Sequence, residues 1–139
     1  MNDNITIEKI WQEDDLIELN IKCSAECIIA NQTCYIQASD LKDICEQITK
    51  CVRQSQQNCY VEFGKKEGNY TPAFSMDISE INASGNVKIE VDMEIADNDI
   101  RKHRCCFYVE SELGLLEKFG LKLKKLIEGN IGNQVTLNK

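Results

Sequence analysis

One proline, seven glycines and one histidine are spread through 139 residues, and each shortage closes off a class of protein. So little glycine and proline leaves no room for a flexible linker or a low-complexity tract. No stretch approaches the 18 consecutive apolar residues of a membrane-spanning helix. The opening Met1-Asn2-Asp3-Asn4 has neither the basic nor the apolar region of a secretory signal, so a cytoplasmic address is expected. The fingerprints GxGxxG, P-loop, HExxH and GxSxG are all missing. Nine aromatic residues point to a thin core.

Cysteine, by contrast, is plentiful: there are eight. In a short secreted chain they would suggest a disulfide framework. Here Cys23 ends an alternating segment, Cys45 and Cys51 lie on a helix stripe, and Cys59 and Cys106 fall within strands. They therefore read as reduced thiols, mostly in the core, where free cysteine behaves as a small hydrophobe. Cys23 and Cys27 have no second pair at metal-ligand spacing, and no metal or other cofactor is expected. The net charge of −7 disfavours a nucleic-acid partner, whose phosphates demand basic residues.

Length and composition fit one domain, 1–139. Residues 5–11 alternate weakly. Ile17, Leu19, Ile21 and Cys23 alternate cleanly with Glu18, Asn20 and Lys22, and a turn returns the chain along 27–37. Ser39 is the expected N-cap of a helix carrying Leu41, Ile44, Cys45, Ile48, Cys51 and Val52 on one face. Strands are expected at 59–63 and 74–78, separated by a turn at 64–69. The strongest strand, 87–95, follows the turn 82–86, and a turn at 96–99 leads to a strand over 101–110. Ser111 is the expected cap of a second helix through Leu113, Leu116, Phe119, Leu123 and Ile127, closed by Gly129-Asn130. Residues 131–139 read as a frayed tail or a weak edge strand.

The course strand, turn, strand, helix occurs twice, within halves 5–55 and 59–128, with Cys34-Tyr35 matching Cys106-Phe107 and Ser39-Asp40-Leu41 matching Ser111-Glu112-Leu113. The expected fold is α+β in two layers: one antiparallel sheet of about six to seven strands carrying both helices on one face, the other face open to water.

No catalytic arrangement emerges. His103 and Cys105 share a strand face, but no third group orients them, so His103 is expected to be an exposed strand residue. Between Asp77 and Asp99 stand seven acids and one base, Lys88. On the expected open face Glu18, Tyr60, Glu62, Asp77, Glu90, Asp92 and Glu94 would lie side by side, nothing desolvating the carboxylates. Such a face is either a solvated surface or a docking site for a basic protein, with Trp11 and Tyr60 as anchors.

The run Trp11-Gln12-Glu13-Asp14-Asp15-Leu16-Ile17-Glu18-Leu19, a capped helix about twenty residues on, a long strand after a glycine turn and a terminal helix with an acidic start resemble small bacterial immunity proteins of polymorphic toxin systems, the WapI-like group among them. The resemblance implies a cytoplasmic, non-enzymatic protein that neutralises a basic toxin by binding it. The alternatives are a different interaction or regulatory module, including a homodimer joined through strand edges, and, third, an enzyme or small-ligand binder.

Overall fold

The computed structural model describes residues 3–54, 58–64, 72–96, 100 and 102–138. The expected turns at 64–69 and 96–99 lie outside them except for Gly64 and Ala96. Eight strands and two helices run in the order β1 (Asn4–Glu13), β2 (Leu16–Ala25), β3 (Ile28–Gln37), α1 (Ala38–Arg53), β4 (Cys59–Phe63), β5 (Ala73–Ile81), β6 (Asn86–Ala96), β7 (Lys102–Glu112), α2 (Leu113–Leu126) and β8 (Gln134–Asn138). The class is α+β with antiparallel pairing throughout, but the single sheet is corrected to two sheets of four strands: sheet A, β3-β2-β1-β8, and sheet B, β4-β5-β6-β7. The tail is an edge strand, with Val135 and Leu137 buried against the core.

Each helix carries the chain from one sheet to the other. Sheet A ends in α1, and the next strand, β4, joins sheet B. Sheet B ends in α2, and the next strand, β8, returns to sheet A. Sheet B is thus a meander of four consecutive strands, whereas sheet A is the meander β1-β2-β3 with β8, from beyond α2, added beside β1. Period-2 patterning reports which side chains face inward, not which sheet a strand joins, so this division is invisible to it.

Local chemistry explains the details. Alternation in β1 is weak because a bulge falls between Lys9 and Trp11. Lys9 faces inward in step with Ile5 and Ile7, and the extra residue, Ile10, then reverses the alternation so that Trp11 joins the outer row opposite Glu18. Neither helix uses its expected serine cap. The N-cap residues are Gln37 and Glu112, without side-chain cap bonds. Instead the amide of Ala38 donates to the Asp15 carbonyl in the β1–β2 turn, and that of Leu113 to the Gly85 carbonyl in the β5–β6 turn. Both halves therefore satisfy a helix-start N–H with the preceding hairpin turn, a second sign of the repeat. The Ser111 hydroxyl donates to the Asn138 carbonyl and helps fasten β8.

One contiguous core joins the inner faces of both sheets to Leu41, Ile44, Cys45, Ile48 and Cys51 of α1 and Leu116, Phe119, Leu123 and Leu126 of α2. Each large aliphatic or aromatic side chain buried there contributes roughly 1.5–3 kcal/mol. The helices pack on each other at Gly120, where an added Cβ would lie 3.0 Å from Ile48 Cγ2. β7 also touches sheet A: the Cys105 thiol lies near Cys23 of β2, the Glu110 amide donates to Asp3, and Ser111 reaches β8. At the other side Gln32 of β3 donates to the Ala73 carbonyl of β5. Beside it Gly64 adopts φ +83°, and a Cβ there would stand 2.9 Å from the Pro72 carbonyl oxygen, which demands glycine.

Candidate protein-binding face

The residues singled out above divide between two surfaces. Register sets Tyr60, Asp77, Glu90 and Tyr108 in one row across the four strands of sheet B. The next row is Glu62, Ser75, Asp92 and Cys106, and the next runs Ala73, Glu94, Arg104. Six of the seven acidic-face candidates, Tyr60, Glu62, Asp77, Glu90, Asp92 and Glu94, therefore share the outer face of sheet B. Glu18 does not. It lies on sheet A between Trp11 and Tyr35, whose rings meet edge to face at 6.0 Å between centroids. Trp11 accordingly belongs to a small aromatic patch on the other sheet and is no neighbour of the sheet B acids.

Asp92 also departs from expectation. It is only 6% exposed, because Arg104 on the adjacent strand lies over it. The guanidinium donates from Nε to both carboxylate oxygens at 3.1 and 3.2 Å and from a terminal nitrogen to Oδ2 at 2.7 Å. This bidentate pair neutralises Asp92 and holds the guanidinium pKa above its ordinary value. The acidic character of the face rests instead on Glu62, Asp77, Glu90 and Glu94, each half-buried.

Two tyrosines bracket the central acids. Tyr60 and Tyr108 are both about half exposed, at 47%, and Asp77 and Glu90 stand between them. The Tyr60 hydroxyl donates to Glu62 Oε1 at 2.6 Å. Desolvation, and then that bond to a carboxylate, push its pKa up to about 12. The Lys88 ammonium sits 4.5 Å from the centre of the Tyr108 ring, a cation–π contact that fixes the ring. Sequence reasoning set Lys88 beside Glu90, Asp92 and Glu94 but missed Tyr108 and Arg104 as members of this face. The parity of 104, 106, 108 and 110 within the last long strand would have found both.

His103 is exposed on β7, as expected for a strand histidine. All eight cysteines are free: Cys23, Cys34, Cys45, Cys51 and Cys59 are buried, Cys105 is half-buried, and Cys27 and Cys106 are exposed. Among the described residues no group of three or more His, Cys, Asp or Glu has metal-holding geometry, and no helix is long and apolar enough to cross a membrane. Two open grooves, of about 430 and 600 Å³, run along the helix pair and share Leu121 and Lys124. Their charged walls, Lys42, Lys50, Arg53 and Lys125 with Glu46 and Glu128, lie away from the acidic sheet. No family model, curated protein or solved structure matches the chain.

Proposed function

We propose that the chain is a non-enzymatic protein-binding module whose outer sheet B face docks a basic protein, in the manner of the immunity proteins it resembles. The observation that carries this reading is the row Tyr60, Asp77, Glu90, Tyr108. Two rigid, half-exposed aromatic rings offer contact area at low entropic cost, and the carboxylates between them supply a field of one sign. Like charges on neighbouring strands oppose folding slightly, so the arrangement is better explained by a partner than by stability. A cytoplasmic toxin of basic charge fits both the chemistry and the resemblance.

The test is parallel affinity capture from source cells with the wild-type chain and the variant Asp77→Lys, Glu90→Lys, Glu94→Lys. A basic protein retained by the first and lost by the second, bound with an association rate that falls with salt, supports the reading. Equal capture by both removes this face from consideration.

A further inference from the structure

β3 is an edge strand, paired with β2 on one side. Among the described residues no backbone hydrogen bond reaches its other side. Its ten residues, IIANQTCYIQ, hold no charge, no proline and no glycine, although the chain as a whole carries −7. Folded proteins normally blunt such edges with charge, proline, bulges or brevity. The other described edges show these devices: β4 and β8 have five residues each, and β7 begins Lys102, His103, Arg104 and has its Glu110 amide closed by Asp3.

The strand is also complementary to itself. An antiparallel copy must set outward side chains against outward ones. With a twofold axis at Gln32, Ile29 faces Tyr35 of the second copy and Asn31 faces Thr33 on the outer side, while Ile28 faces Ile36 and Ala30 faces Cys34 within. Ile29 and Tyr35 are 55% and 49% exposed, and this register makes each cover the other. No like charges meet anywhere along it.

We propose that β3 is a self-association edge, and that two copies of this chain pair their β3 strands antiparallel about Gln32 into one eight-stranded sheet. Outer sheet B stays free in that dimer, so the pairing makes any partner binding there bivalent. One ten-residue strand buries less than the roughly 800 Å² per partner of a standard interface, so association is concentration-dependent.

The test is sedimentation velocity from low to high micromolar protein, on the wild type and on Asn31→Lys, Thr33→Lys, with circular dichroism to verify folding. Ile29→Lys serves as a second variant should the first not fold. The wild type is expected to dimerise on concentration, and lysines at the axis to weaken the dimer roughly tenfold or more. Register is read by disulfide trapping in a Cys27→Ser, Cys106→Ser background: Asn31→Cys mixed with Thr33→Cys cross-links, and Thr33→Cys alone does not. A chain monomeric throughout, a dimer indifferent to the lysines, or Thr33→Cys cross-linking with itself overturns the proposal.

Discussion

The ammonium of Lys9 donates to the carbonyl of Gly129 at 2.8 Å. It also donates to that of Ile127 at 2.9 Å, so a single cation closes the C-terminal end of α2, where the helix dipole is negative. The backbone of the same residue completes the clamp, its N–H donating to Asn133 and its carbonyl accepting from Gly132. Lys9 is 2% exposed, and burial lowers its pKa. Lys9→Met keeps the apolar stem and removes the donor. The two carbonyls then lose a charge-assisted partner, at a cost of about 2 kcal/mol. Urea denaturation should show the midpoint falling with an unchanged slope. An unchanged midpoint would mean that water replaces the ammonium without loss.

What the sequence made legible was the set of inward faces. Ile17, Leu19, Ile21 and Cys23 are all fully buried, and so are Ile89 and Val91. What it hid were relations across long separations. Arg104 covers Asp92 only because β6 and β7 pair in the register Asp92 with Cys106 and Glu94 with Arg104, and no local pattern announces that register. Lys9 shares the inward parity of Ile5 and Ile7, and only its partners on the far side of the chain show why a lysine can be buried there. The serine caps failed for a related reason. Ser39 and Ser111 are good caps in isolation, but the hairpin turns already supply a carbonyl to each helix start.

Gly120 sits where the helices press together. A Gly→Ala change inside a helix ordinarily gains about 1 kcal/mol. Here the new methyl lies 3.0 Å from Ile48 Cγ2, and Ile48 is wholly buried, so overpacking costs about 1–3 kcal/mol. Gly120→Ala is therefore expected to destabilise the wild type, yet to stabilise an Ile48→Ala background. A double-mutant cycle by thermal or urea unfolding reads this reversal. Additive effects would show that the two residues are not in contact.

The thiols make a graded prediction. Burial pushes Cys34, Cys45 and Cys51 up to about 12 from an ordinary 9.0, and raises Cys23 and Cys59 as well. Exposed Cys106 is raised by partial desolvation and then by Glu90 and Asp92. In the native protein an aromatic disulfide reagent should therefore label Cys27 first and Cys106 more slowly, leaving the five buried thiols until denaturant is added. Because the folded values exceed the unfolded ones, stability is whole below about pH 9 and falls as pH climbs toward 12. Lys9, lowered from 10.5, offsets part of that loss. Chemical denaturation across this range should show the midpoint declining. A flat profile would mean the thiols ionise in place.

If sheet B docks a basic protein as proposed, the acidic face divides into carboxylates that hold the fold and carboxylates that would meet that partner. Asp92 belongs to the first kind. It is locked under Arg104, so Asp92→Asn should loosen the sheet and, by leaving the Arg104 cation uncompensated, slow association with a basic protein, whereas the pair Asp92→Asn, Arg104→Gln, as neutral as the original, should leave the speed of association largely unchanged. Asp77, Glu90 and Glu94 belong to the second. Reversing all three to lysine changes the net charge from −7 to about −1, because each substitution removes one negative and adds one positive charge. Association should slow by one to two orders of magnitude at low ionic strength, and the salt dependence should flatten or change sign. Dissociation should respond mainly to Tyr60→Ala and Tyr108→Ala, which take away buried contact area rather than field. Surface plasmon resonance against the captured partner at two salt concentrations separates these effects. If the tyrosine variants slow association and the lysine variants speed dissociation instead, the roles assigned to rings and carboxylates are reversed, and the field of sheet B is not what brings the partner in.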